Sequence, residues 1–282
     1  MSVLLGVVVG FLALRVILLV SSEILDAPVL SRRNFRERQV TTAAGIAAVL
    51  AVLGVEATRS LLGAFGFGDE PGTNVARTLV LFACVGFGLL GLLDDLLGTD
   101  ADRGFRGHLL ALVHGRLTTG VVKIVGGAAL ALVLVGAGGN LVSGKRVVAD
   151  ALIVALSANA LNLFDRAPGR AIKVGLLAWV PIALVAGTDA VGVAIAPVIG
   201  AFVGLAPEDL REHVMLGDTG AYVLGAVLGL AVVLDLGRGP RNGVLLALVL
   251  LTLVAEFVSF TRVIDRTPLL RQLDRWGPRS DP

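Results

Sequence analysis

The chain has 282 residues, 56% of them hydrophobic and 16% charged, with a formal net charge of +2 and a single cysteine. Several apolar stretches reach the ~20 residues that a bilayer-crossing helix needs, which excludes a soluble domain built on one buried core. One cysteine excludes an intrachain disulfide and a cysteine metal cluster, and the alternating ten-residue segments of a membrane barrel are absent.

Nine apolar spans are predicted, at about 2–21, 41–63, 78–97, 118–137, 147–164, 171–188, 190–206, 219–235 and 242–262. Short loops join them. The expected fold is therefore an all-α, polytopic transmembrane bundle, with residues 1–282 as one integral-membrane domain. The first stretch lacks a basic leader and a small-residue cleavage site, so it is read as a retained helix and not as a signal peptide.

After span one comes Ser31-Arg32-Arg33-Asn34-Phe35-Arg36-Glu37-Arg38, a basic loop suited to anchoring the chain or to clamping phosphate. Span two is interrupted by Glu56 and Arg59, which can pair at a separation of three residues. Span three ends in Asp94-Asp95. Two neighbouring anions raise each other's pKa, and an acid kept at membrane depth normally has a basic or metal partner. The plain alternative is a helix ending in a polar, solvated turn. Lys123 lies about one turn inside span four, free to snorkel to the surface or to pair with a carboxylate or phosphate.

Span five ends in Asn159, Asn162 and Asp165, a spacing of three that lays a polar stripe along one helix face. Asparagine offers both donors and an acceptor, suited to a base, a sugar or phosphate oxygens, although interhelical bonding would also explain it. Pro168-Gly169 then turns the chain between Arg166 and Arg170. Span seven is short and contains Pro197. Leu216-Gly217-Asp218-Thr219-Gly220 opens span eight. Asp218 there is a helix N-cap, a metal ligand, or both through different carboxylate oxygens, its glycines letting phosphate approach the helix start. Glu256 in span nine is expected to face the bundle. His108, His114 and His213 show no metal-binding spacing and are read as loop residues.

The loops after the odd-numbered spans, with the C-terminal tail, carry roughly 16 Lys and Arg against about 6 in the others. The positive-inside rule then puts the N-terminus outside and the C-terminus inside. Asp94-Asp95, the Asn159–Asp165 stripe and Asp218 all fall on the inner, cytoplasmic side. Their oxygen-rich chemistry suits Mg²⁺, which takes one or two protein carboxylates and completes its shell with water and substrate phosphates. No phosphate-binding P-loop, dinucleotide fingerprint or zinc spacing is present.

Taken together these motifs resemble the polyprenyl-phosphate N-acetylhexosamine-1-phosphate transferases, the family that includes phospho-N-acetylmuramoyl-pentapeptide transferase. Asp94-Asp95 matches its Asp-Asp pair and Lys123 the lysine of the following helix. Asn159, Asn162 and Asp165 match its Asn-x-x-Asn-x-x-Asp core, and Gly217-Asp218-x-Gly220 its Gly-Asp-x-Gly motif. Several features differ, among them two in the loops. Asp165 is followed by Arg166-Ala-Pro-Gly-Arg170 where the family carries a second acid, and the late loop Thr267–Arg275 lacks the family's histidines.

The resemblance implies an enzyme of a bacterial-type inner membrane, working in peptidoglycan or other surface-glycan synthesis. It would join the phosphosugar of a UDP-sugar to a polyprenyl phosphate such as undecaprenyl phosphate, releasing UMP. The implied catalytic residues are Asp94, Asp95 and Asp218, with Asp218 and Asp95 holding Mg²⁺ or Mn²⁺. Lys123, Asn159, Asn162 and Asp165 would bind substrate. Arg166, Arg170 and Arg271 are candidates for the diphosphate or sugar, with Arg166 and Arg170 taking over recognition from the missing acid. The implied partners are the polyprenyl lipid, the UDP-sugar and the bilayer, with room for a homodimer and no role for nucleic acid. The alternative is a non-catalytic membrane scaffold that keeps the fold and binds lipid phosphate.

Overall fold

The computed structural model describes residues 2–25, 27–33, 39–67, 75–98, 118–138 and 143–277. The long helices are α1 (Val3–Val20), α2 (Gly45–Ala64), α3 (Val75–Leu97), α4 (Thr119–Ala137), α5 (Gly144–Phe164), α6 (Arg170–Ala186), α7 (Ala190–Leu210), α8 (Gly217–Asp235) and α9 (Arg238–Ala255). Two short helices follow, α10 (Phe260–Arg266) and α11 (Pro268–Arg275). The architecture is a polytopic helical bundle. Eight of these helices are long and apolar enough to cross a membrane; α6, with 17 residues and Pro181 inside it, is the predicted span that falls short of that length.

Helix α8 is the axis. It packs against α2, α3, α4, α5, α6 and α7, and nearly all of it is buried. Its sequence is apolar on every side, as a helix surrounded by others requires. Small residues let the neighbouring backbones close in, the usual device where lipid offers no hydrophobic drive between helices. A Cβ on Gly45 of α2 would lie 2.2 Å from the Gly220 backbone, and one on Gly91 of α3 would lie 2.4 Å from Thr219 Cα. The starts of α2 and α8 and the end of α3 are thereby held together at one end of the bundle.

A small antiparallel ribbon pairs Ser31–Arg33 with Gln39–Thr41 at that same end. Its second strand continues onto the segment before α8. Met215 N–H donates to Thr41 O at 2.7 Å, Ala44 N–H to Met215 O at 3.1 Å and Gly45 N–H to Leu216 O at 3.0 Å. Arg32 donates to the carbonyls of Asp95 and Leu96, each at 3.1 Å, closing the C-terminus of α3. This is the basic loop expected to anchor or to clamp phosphate; Asn34, Phe35, Arg36, Glu37 and Arg38 lie outside the described residues. So do Arg103, Arg106, Arg116, His108, His114 and Arg279.

One expectation is corrected. The last long helix ends at Ala255, and Glu256 sits exposed at its end, so it does not face the bundle. Helix α7 runs on to Leu210, a few residues past the predicted end at about 206, and carries Pro207 inside it. Glu56 does pair with Arg59, at 2.9 Å, and also with Arg77 of α3, at 2.6 Å.

Candidate active site

The site forms where the end of α3, the start of α4, the end of α5 and the start of α8 meet. Lys123 of α4 stands between two carboxylates. Its Nζ is 2.7 Å from Asp94 Oδ2 and 2.5 Å from Asp218 Oδ2, and lies 5.1 Å from the centre of the Tyr222 ring, a cation–π distance. Of the two roles open to Lys123, the structure has the pairing one. Asn162 Nδ2 also reaches Asp218 Oδ2, at 3.5 Å. Asn159 sits one turn earlier on α5, partly buried.

Asp95 points to the start of α8. Its Oδ1 accepts from Asp218 N–H at 3.0 Å and from the Thr42 hydroxyl at 3.4 Å. Its Oδ2 accepts from Thr219 N–H at 2.9 Å and the Thr219 hydroxyl at 2.6 Å. The N-cap position of α8 is Leu216, which has no capping side chain. Asp218 is thus not the cap of its own helix; Asp95 caps it from α3.

Asp165 terminates α5 and, with Asp95, Arg166, Asp209, Glu212 and Asp218, lines a cavity of about 260 Å³. Burial, reinforced by the charges of Asp209, Asp218 and Asp95, pushes the Asp165 carboxyl well above the usual carboxylate range; Arg166 opposes this. Asp209 is committed to the scaffold. It accepts from Gly169 N–H at 2.8 Å and Leu216 N–H at 3.1 Å, tying the turn after α5 to the segment before α8. Glu212 is buried, and its backbone is left-handed at φ 58°, a conformation that non-glycine residues adopt at a cost.

The three arginines separate. Arg166 is exposed at the cavity wall. Arg170 is buried and turned to the C-terminal segment, with Nε 2.7 Å and Nη2 3.1 Å from the Asp274 carboxylate and Nη1 3.1 Å from Thr261 Oγ1. Arg271 is exposed on α11, in a separate surface hollow with Pro268, Gln272, Arg275 and Trp276. The structure therefore brings Asp94, Asp95, Lys123, Asn162, Asp165, Arg166 and Asp218 to one place and leaves Arg170 and Arg271 out of it. Residues that sequence reasoning missed are Thr42, Thr219, Asp209, Glu212 and Tyr222. A usable signal existed for the acids: Pro207-Glu-Asp209-Leu-Arg-Glu212 is an acidic run on the side of the chain where the other motifs fall.

No family model matches the chain. Among curated relatives, it is 32% identical over 183 residues to the phospho-N-acetylmuramoyl-pentapeptide-transferase of Desulforudis audaxviator (strain MP104C), covering 55% of this chain and 52% of the relative. It is 27% identical over 204 residues to the protein of the same name from Bartonella quintana (strain Toulouse), covering 63% of this chain and 55% of the relative. The chain spans about half the length of the curated relatives it matches. Over that length it is a homologue of, and resembles, the phospho-N-acetylmuramoyl-pentapeptide-transferases, the family to which its own motifs point.

Proposed function

We propose that the chain is a phosphoglycosyltransferase of a bacterial-type cell membrane, moving a sugar-1-phosphate from a UDP-sugar to polyprenyl phosphate and releasing UMP at the cytoplasmic face. The observation that carries this reading is the convergence of Asp94, Lys123, Asn162 and Asp218, from four helices, on one hydrogen-bonded cluster beside an acid-lined cavity. The names of the relatives support the same kind of transfer.

The donor set fits Mg²⁺ or Mn²⁺. Among the cavity's lining residues are the carboxylates of Asp165, Glu212 and Asp218, and such hard oxygen donors suit these cations. Among the described residues no group of three His, Cys, Asp or Glu is placed to hold a metal. The protein's share of the shell is then one or two carboxylates, Asp218 first. When bound, the ion neutralises diphosphate charge and serves as a Lewis acid.

The side chains divide the remaining work. Lys123 presents a cation to the phosphates and holds Asp94 and Asp218 apart at a fixed distance. Asp94 orients the lipid phosphate and accepts its remaining proton. A lipid phosphate oxygen then forms a bond to the β-phosphorus of the UDP-sugar while the bridging P–O bond breaks, and UMP departs. Asn159, Asn162 and Asp165 hold the nucleotide side, and Arg166 faces the diphosphate. Most of the acceleration comes from positioning and charge stabilisation, as in other phosphoryl transfers.

Purified protein with undecaprenyl phosphate, MgCl₂ and a panel of UDP-sugars tests the proposal. UMP release together with a lipid-linked product is expected for at least one sugar. Silence with every sugar would favour the non-catalytic, lipid-phosphate-binding scaffold, a reading to which the missing second acid and late-loop histidines lend weight.

A further inference from the structure

We propose that Asp95 is a positioning residue, the N-cap of α8 supplied from α3, and that it acts on the chemistry only by fixing where Asp218 stands. The inference rests on the transferase reading for its catalytic consequence and on geometry alone for its structural one.

A carboxylate has about four acceptor positions, and Asp95 uses as many. Two are filled by backbone N–H groups of α8, those of Asp218 and Thr219 at 3.0 and 2.9 Å, and two by the hydroxyls of Thr219 and Thr42 at 2.6 and 3.4 Å. The donors on the helix are the second and third N–H groups of its first turn, the pair that an N-cap side chain ordinarily serves. Leu216 occupies the cap position and offers no acceptor, so the orphan donors of α8 are met across the bundle.

The surroundings are built for that approach. A Cβ on Gly217, whose φ is +73°, would fall 2.7 Å from Asp95 Oδ2 and from Ala43 N, and one on Gly91 would strike the Asp218–Thr219 backbone. Glycine at both positions lets α3 come close enough for its carboxylate to reach the helix start. The bond to Asp218 N–H then fixes the residue whose side chain, on the other side, meets Lys123 and Asn162. With its acceptors filled in this way, Asp95 has none left for a metal, so the expectation that it shares Mg²⁺ with Asp218 does not fit these bonds.

The test compares wild type with Asp95→Asn, Thr219→Ala, Thr219→Ser and Asp218→Asn in detergent. The readouts are melting temperature in EDTA, the further shift on adding MgCl₂ alone, and the Mg²⁺ activation constant of UMP release. Asp95→Asn and Thr219→Ala should each lower the EDTA melting temperature by about 2–6 °C, the scale of a lost cap. Their double mutant should fall by less than the sum, because both remove one interaction, and Thr219→Ser, which keeps the hydroxyl, should restore most of the loss. Both variants should keep the MgCl₂-induced shift that Asp218→Asn loses. Their kcat should fall about tenfold or more, with an activation constant within about threefold of wild type, as expected when an interaction outside the metal shell is removed. The proposal is overturned if Asp95→Asn abolishes the MgCl₂ shift or raises the activation constant tenfold with Thr219→Ala silent, or if the EDTA melting temperatures do not move. The thermal readouts decide it even if no sugar is turned over, so failure of the transferase reading is distinguishable from failure of this one.

Discussion

At the scale of single residues, the altered turn after α5 has two consequences. Arg170, expected from the sequence to recognise substrate, is instead a buried fork on Asp274, with side chains only 5% and 10% exposed. Breaking a buried pair by removing one partner costs about 3–5 kcal/mol, because a charge is left uncompensated. Arg170→Ala should therefore lower the melting temperature markedly and change kcat/KM by the same factor for neutral and acidic UDP-sugars. An unchanged melting temperature with a loss confined to one class of sugar would return Arg170 to the substrate. Asp165 gives a prediction in pH. Its carboxyl is raised in the folded protein by burial and by Asp209, Asp218 and Asp95. A raised acid favours the protonated folded state, so stability is lost as pH climbs from the unfolded carboxylate value towards the raised one. Asp165→Asn should then raise the melting temperature at pH 7–8, with the gain fading as pH falls to about 3, where both states of the wild type are mostly protonated. A lower melting temperature at pH 7–8 would contradict this. The residue types and spacing announced Asp94, Lys123, Asn162, Asp165 and Asp218. The target of Arg170 could not be read, because a guanidinium selects phosphate and carboxylate alike and Asp274 lies 104 residues away.

At the scale of helices, α8 and the two glycines facing its start set the geometry. The close approaches at Gly45 and Gly91 meet backbone, which cannot swing aside. Gly45→Ala and Gly91→Ala should each destabilise by more than the ~1–3 kcal/mol typical of overpacking and should disturb Mg²⁺-dependent stability, since they move the helix ends that carry the site. Gly54→Ala and Gly136→Ala meet nothing within 4 Å and should be neutral or stabilising by about 0.5–1 kcal/mol, the ordinary helix preference for alanine. Thermal unfolding of the four proteins checks both halves; equal effects would refute the packing account. Helix positions were legible in the sequence because an apolar run long enough to cross a bilayer is hard to mistake. Their ends were less so: the predicted last span reached 262 while α9 stops at Ala255, since Phe257, Val258 and Phe260 prolong the apolar signal past the last helical turn. The cap given by Asp95 to α8 was not legible at all, because an Asp before Thr-Gly looks like its own helix cap until the neighbouring helix is placed.

At the scale of the molecule, the basic loops and the polar helix ends were predicted to share one side, and the structure gathers Asp94, Asn162, Lys123 and Asp218 at one end of the bundle. The charge bias predicts that this end faces the cytoplasm. Cysteine at exposed Arg271, tethered beside the start of α6, should be shielded from an impermeant thiol reagent in intact cells. Cysteine at exposed Phe67, beyond the far end of α2, should be labelled; native Cys84 is buried and stays dark. The reverse pattern would invert the topology. The central claim, that these helix ends form a metal-dependent centre for phosphosugar transfer, is tested most directly by UMP release from the active UDP-sugar in wild type and Asp218→Asn. The substitution keeps size and shape and removes the anion. The account predicts Mg²⁺-dependent release in wild type and a loss of about a hundredfold or more in Asp218→Asn, the scale of a lost charge-stabilising group, with the protein still folded in detergent. Release by Asp218→Asn at the wild-type rate and Mg²⁺ requirement would contradict it.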